Sequence, residues 1–161
     1  ASQVSKVEVD MVALAREVYD ESLALANLRS RNIELELSDE PLPVMADAAH
    51  ISEAMTNLIS NAIKYTPADG RIVVRVHCRR SKVLFEVEDN GPGIPEEKQE
   101  RLFEPFYRAV KSSEVEGSGL GLHLVRNIIQ RYGGKTHFSS VYGKGSLFGF
   151  SLPLVDDLEH T

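Results

Sequence analysis

Two rhythms of apolar and polar positions divide the chain, one alternating and one recurring with helical spacing. Lys6 to Asp10 alternates as a short strand. Asp10 can then cap a helix whose apolar positions Met11, Leu14, Ala15, Val18, Leu23 and Ala26 approximate helical spacing. A second strand is predicted over Ile33 to Leu37. Pro41 and Pro43 break the chain before a short extended piece, Val44 to Ala46, and Asp47 begins a long helix running to about Tyr65. The turn Thr66-Pro67-Ala68-Asp69-Gly70 leads into two alternating runs, Arg71 to Arg79 and Lys82 to Asp89, close enough in sequence to form an antiparallel pair. In the first run Ile72, Val74, Val76 and Cys78 share a face.

Asn90-Gly91-Pro92-Gly93-Ile94-Pro95 forbids regular structure, and Glu96 to Leu102 is predicted as a brief helix ahead of the aromatic stretch Phe103 to Tyr107. A polar loop follows. Gly117-Ser118-Gly119-Leu120-Gly121 opens a helix that runs to about Tyr132 and is closed by Gly133-Gly134. Lys135 to Val141 and Gly145 to Leu152 are the last two strands. Helices early and late, with strands arriving in adjacent pairs, predict an α/β two-layer sandwich in which a mixed sheet is covered by helices on one face. No internal repeat or linker interrupts the chain, which is expected to be one domain with its core over about 7–154.

Composition narrows the function. A formal net charge of -6, with no Lys/Arg-rich run, argues against a general affinity for nucleic acid or for an anionic membrane surface. The single cysteine, Cys78, excludes an internal disulfide and a cysteine-built zinc site. No apolar stretch approaches the roughly 20 residues needed to cross a bilayer, and Lys6, Glu8 and Asp10 interrupt any signal-peptide pattern. The expectation is a cytoplasmic domain.

Three local features ask for chemistry. Asn57, Asn61 and Lys64 recur at i, i+4 and i+7, laying two amides and an ammonium along one face of the long helix with Tyr65 beside them. Asparagine costs roughly 0.5 to 0.7 kcal/mol relative to alanine inside a helix. Two of them suit either plain solvation or a hydrated Mg²⁺, which prefers oxygen ligands and keeps several waters, while Lys64 would meet phosphate. Asp89 alternates with Val83, Phe85 and Val87 and so falls on an apolar face, where a carboxylate needs a partner. It can cap the following turn through backbone N–H groups. It can equally accept a hydrogen bond from the exocyclic amine of a flat base brought close by the glycine-rich loop, as adenine would offer. Gly117-Ser118-Gly119-Leu120-Gly121-Leu122 at a helix start makes an anion site from unpaired N–H groups and the helix dipole. With no strand directly before it and no following Lys-Ser or Lys-Thr, it is neither a P-loop nor a good dinucleotide fingerprint.

Read together, Asn57-Leu58-Ile59-Ser60-Asn61-Ala62-Ile63-Lys64-Tyr65, Asp89-Asn90-Gly91-Pro92-Gly93-Ile94, Phe103-Glu104-Pro105-Phe106-Tyr107-Arg108 and Gly117 to Leu122 resemble, in order and spacing, the boxes of the sensor histidine kinases. The resemblance covers Val9 to Pro153 and implies the Bergerat nucleotide-binding fold, shared with type II topoisomerases, mismatch-repair ATPases and a heat-shock chaperone. It also implies roles. Asn61, helped by Asn57, would hold Mg²⁺; Lys64 and Arg108 would contact the phosphates of ATP; Tyr65 would pack beside adenine, and Asp89 would take its amino hydrogen bond. Gly91, Gly93 and Ile94 would form the loop that approaches the base. Gly117, Ser118, Gly119, Leu120, Gly121 and Leu122 would form the phosphate-facing helix start. The loop from about Ala109 to Ser118 resembles a mobile ATP lid, with Phe103 and Phe106 anchoring its near end.

The ATPase relatives carry a glutamate, as general base for water, where this helix has Asn57. A neutral amide cannot take that proton, so transfer to a protein nucleophile is expected over hydrolysis. Glu53, one turn further back, is expected to be solvated rather than a substitute base. His50, His77, His123, His137 and His160 lack the family's phosphoacceptor pattern. The nucleophile would therefore be a histidine on the parent protein's dimerisation domain, absent here, with a response regulator receiving the phosphoryl group afterwards. The chain is expected to be monomeric, the parent a homodimer that could be anchored in the plasma membrane. Two other readings stand beside this one. One is a nucleotide-gated interaction module, as in degenerate kinases; the other is an anti-sigma-factor-type serine kinase.

Overall fold

The computed structural model describes residues 6–104 and 121–155. Helix α1 (Met11–Leu28) follows strand β1 (Val7–Asp10), and Asp10 caps it by accepting from Val12 N at 3.0 Å. The same Asp10 oxygen accepts from Leu42 N at 3.0 Å, so one carboxylate fixes both the helix start and the approach to β3 (Pro43–Ala46). Asp47 caps α2 (Ala48–Tyr65) through Ala49 N at 2.9 Å. The remaining elements are β2 (Asn32–Leu37), β4 (Arg71–Arg79), β5 (Lys82–Asp89), the short α3 (Glu96–Gln99), α4 (Gly121–Arg131), β6 (Lys135–Val141) and β7 (Gly145–Pro153).

The strands form two sheets. β1 and β3 pair antiparallel by themselves, and the other five take the order β2-β4-β5-β7-β6, with β2 parallel to β4 and every other pairing antiparallel. The sheet is therefore mixed, as the sequence predicts. The alternation in β4, β5 and β7 puts Ile72, Val74, Val76, Val83, Phe85, Val87, Phe150 and Leu152 on one face, each at most 1% exposed. Helices α1, α2 and α4 cover that face. α2 runs between the other two and contributes Ile51, Ala54, Met55, Leu58, Ile59, Ala62 and Ile63 to the core. Phe85 and Phe150 stack at its centre with ring centroids 5.3 Å apart. Full burial of each such ring is worth about 1.5–3 kcal/mol.

The brief helix after Pro95 ends at Gln99 instead of Leu102. Cys78 shares the face of Ile72, Val74 and Val76, opposite Val83 in register, and is exposed near the end of β4. The uncovered sheet face is polar. Arg71 pairs with Glu34, and Arg75 bridges Glu36 and Glu88, all at 2.8–2.9 Å. Beside them Glu86 takes His77 Nε2 at 2.9 Å on one oxygen and His137 Nε2 at 2.8 Å on the other. His137 reaches across β7 because the residue between is Gly149, whose missing Cβ would lie 2.8 Å from that nitrogen.

Burial raises the Glu86 carboxyl, but the hydrogen bonds from His77 and His137 outweigh it and hold the group below its ordinary value. A carboxyl depressed in the folded state contributes stability above its unfolded value, and that contribution is lost as pH falls through the folded one. Glu86→Gln is therefore expected to lower the Tm at neutral pH. The gap from the wild type should close below the ordinary glutamate value of about 4.3, as thermal melts across the acid range would show.

Candidate functional site

The amide stripe on α2 meets the start of α4. Asn57 donates Nδ2 to the Glu53 carbonyl at 2.8 Å, which leaves its Oδ1 turned away from the helix backbone. A Cβ on Gly121, the first residue of α4, would stand 3.2 Å from that Oδ1, 3.7 Å from Asn61 Nδ2 and 3.9 Å from Asn61 Oδ1. Among the described residues, two side-chain amides thus sit against the first residue of α4, where a glycine leaves no side chain of its own in the way. Asn57, Asn61, Lys64 and Tyr65 are all partly exposed, on the border between core and solvent. The apolar face of α2, from Ile51 to Ile63, packs into the core, and Asn57 and Asn61 are brought to the first residue of α4, whereas the Tyr65 carbonyl lies 3.4 Å from where a Gly91 Cβ would stand. Glu53 is exposed and enters the site only through its carbonyl.

Asp89 ends β5 on the helix-covered face, paired in register with Ile72 and Ser146. Its Oδ1 accepts from Gly91 N at 2.9 Å, and the Ser146 N–H also donates to the carboxylate. Burial lifts the carboxyl above the usual aspartate value, with the charge of Glu88 adding to the rise, against the pull of those two N–H groups. Asp89 thus closes the turn through the Gly91 N–H, as one of its two readings expects, and stays a half-buried carboxylate beside the glycine loop.

That loop is held from the far side. Gly93 has φ +69°, and a Cβ there would stand 2.3 Å from Val141 O and 2.9 Å from Tyr142 Cα. Ile94 N donates to Ser140 Oγ at 2.8 Å, and Ser140 Oγ lies 2.8 Å from Ser146 Oγ. Gln99 of α3 donates Nε2 to Ile94 O at 2.9 Å and to Ser140 O at 3.3 Å. Gly93→Ala must push back the β6–β7 turn in a backbone region that side chains disfavour. A loss of about 1–3 kcal/mol is expected, readable in denaturant unfolding.

Phe103 packs on Phe138 and Phe148 with centroids 6.0 and 6.5 Å apart, tying the first residue of the aromatic stretch to β6 and β7. Phe106, Arg108, the loop Ala109–Ser118, Gly117, Gly119 and Leu120 lie outside the described residues; Gly121 and Leu122 are the described part of the glycine box. Of the histidines, His77 and His137 serve Glu86, His50 lies against Tyr132, His123 faces Phe103 O at 3.3 Å, and His160 lies outside the described residues. Sequence reasoning missed Ser140, Ser146 and Gln99. Ser146 is only 8% exposed and faces Asp89, a pairing legible only once β7 is known to neighbour β5.

Residues 46–156 match the family described as histidine kinase-, DNA gyrase B-, and HSP90-like ATPase. The adaptive-response sensory kinase SasA of Rippkaea orientalis is 40% identical over 142 residues, covering 88% of this chain and 36% of that protein. The chain thus spans little more than a third of the length of such curated relatives. The catalytic domain of histidine kinase ThkA superposes with a TM-score of 0.79 at 32% identity, over 92% of this chain and 95% of that one. The same kinase in complex with response regulator protein TrrA gives 0.78 at 30% identity, over 93% of this chain and 42% of that one. Full-length ShkA in complex with AMPPNP gives 0.83 at 28% identity, over 96% and 32%.

Proposed function

Because the chain belongs to the histidine kinase-, DNA gyrase B- and HSP90-like ATPase family, as an ATP-binding domain of the sensor histidine kinase kind, we propose that it binds Mg-ATP and transfers the γ-phosphoryl group to a histidine on its parent's dimerisation domain. The observation that carries this reading is Gly121, the first described residue of α4, set against the Asn57 and Asn61 amides. A helix N-terminus attracts phosphate, and amide oxygens suit a hydrated magnesium ion. The residues present therefore fit the cofactor.

Asn61 and Asn57 would hold Mg²⁺, which when bound neutralises charge on the phosphates. Lys64, in the last turn of α2, and Arg108 would add cationic contacts to those phosphates. Asp89 would accept the adenine amine, while Gly91, Gly93 and Ile94 shape the loop along the base and Tyr65 lies beside it. Gly117, Ser118, Gly119, Leu120, Gly121 and Leu122 would offer backbone to the phosphates. Phosphoryl transfer through a loose transition state asks chiefly for this positioning and neutralisation.

Asn57 stands where a hydrolytic base would be needed, and a neutral amide cannot take a proton from an attacking water. Hydrolysis by the chain alone should be slow beside transfer. The whole domain, 1–161, would act as the catalytic partner of a separate histidine-bearing segment, and the parent would hand its phosphoryl group to a response regulator. In support, ThkA is known in complex with response regulator protein TrrA and full-length ShkA in complex with AMPPNP. No described helix is long and apolar enough to cross a membrane.

The test is incubation with labelled ATP, Mg²⁺ and a relative's histidine-bearing dimerisation domain. Label on that domain that survives base and is lost in acid supports the reading. Acid-stable label would indicate a serine kinase, and saturable ATP binding with no label a nucleotide-gated module.

A further inference from the structure

Thr66 is 1% exposed, and its Oγ1 is buried with no hydrogen-bond partner. Its backbone N–H closes α2 on Ala62 O at 3.0 Å, so the residue is rigidly held. On one side its Cγ2 fills the space of a Gly70 Cβ, 2.1 Å away. On the other, a Cβ on Gly91 would lie 3.5 Å from Thr66 Cα and 2.9 Å from Asp89 Oδ1. Thr66 and the Asp89 carboxylate therefore flank the same point of the glycine loop. A buried hydroxyl without a partner is uncommon in folded proteins and points to a missing water or ligand. Valine would fill the same volume without the penalty, so a threonine here asks for a use.

Resting on the Mg-ATP reading above, we propose that Thr66 is a further specificity-determining residue of the nucleotide site: its hydroxyl, directly or through one held water, donates to a ring nitrogen of the adenine edge while Asp89 accepts from the neighbouring amine. Adenine presents an amine next to a ring acceptor, which calls for one acceptor and one donor on the protein. Guanine presents a carbonyl next to a ring N–H, the reverse pattern. Asp89 alone supplies half of that discrimination, and Thr66 supplies the other half.

The experiment is calorimetric titration of wild type, Thr66→Val and Thr66→Ser with Mg-ADP and with Mg-GDP, beside thermal melts without nucleotide. Thr66→Val is expected to melt at or above the wild-type Tm, because it removes an unpaired buried hydroxyl. It should bind ADP about three- to tenfold more weakly, the worth of one neutral hydrogen bond, and discriminate less against GDP, whereas Thr66→Ser stays near wild type. ADP binding by Thr66→Val equal to wild type, or an equal loss in Thr66→Ser, overturns the proposal. Should valine prevent folding, Thr66→Ala read against Thr66→Ser makes the same comparison. A wild-type chain that binds no adenine nucleotide overturns the Mg-ATP reading itself, whereas wild-type binding with an indifferent Thr66→Val overturns only this inference.

Discussion

Asp89→Asn is expected to weaken ATP binding by about 10- to 100-fold and to abolish the preference for ATP over GTP. One Asp89 oxygen already accepts from Gly91 N at 2.9 Å, and the carboxylate also receives the Ser146 N–H. Asparagine replaces one of the two oxygens with an NH₂ group, so either the loop N–H or the adenine amine then faces a donor. Hydrogen bonds to a charged partner are worth about 1.5–3 kcal/mol, which is the stated range in affinity. The fold should survive, since the amide relieves the burial that lifts this carboxyl. The same upward displacement predicts a pH effect. Asp89 takes up its proton at a higher pH than an ordinary aspartate, so wild-type ATP affinity should fall in mild acid while Asp89→Asn stays flat. Calorimetry at several pH values checks both; unchanged ATP affinity in the variant would refute the role of Asp89.

The second large effect is expected at Asn61. Asn61→Ala should reduce phosphoryl transfer to a histidine-bearing domain by roughly 100-fold or more, as removal of a group serving the transferring phosphate typically does. Stability should move the other way. Asn61 makes no side-chain hydrogen bond to other described residues that anchors the fold, and alanine is the better helix former by roughly 0.5–0.7 kcal/mol. Single-turnover transfer at saturating ATP, with a parallel Tm, separates the two. A stable and fully active variant would contradict the placement of magnesium on this stripe, and an unfolded one would contradict the expected gain in stability.

Much of this molecule is legible in the chain because its elements announce themselves locally. Asp10 and Asp47 cap the helices that follow them, and β4 and β5 alternate as half-buried strands do. Pairing is another matter. Alternation states which face a residue takes but not which strand lies beside it. That β7 enters between β5 and β6, or that β1 leaves the main sheet to pair with β3, is decided by contacts far apart in sequence. The candidate site divides the same way. Asn57, Asn61 and Asp89 stand out because each breaks a local rule, an amide inside a helix or a carboxylate on an apolar face. Ser146, Ser140 and Thr66 break none, being ordinary residues of strands and turns whose polar atoms gain meaning only from neighbours across the fold.

The central claim is that this chain is a magnesium-dependent, adenine-selective nucleotide site, and calorimetric titration of the folded chain tests it most directly. ADP and a non-hydrolysable ATP analogue would each be titrated with and without Mg²⁺, with GTP as control. Saturable binding that Mg²⁺ strengthens and GTP does not reproduce is the expected result. A folded chain that binds none of them, or binds ATP and GTP alike, would contradict it.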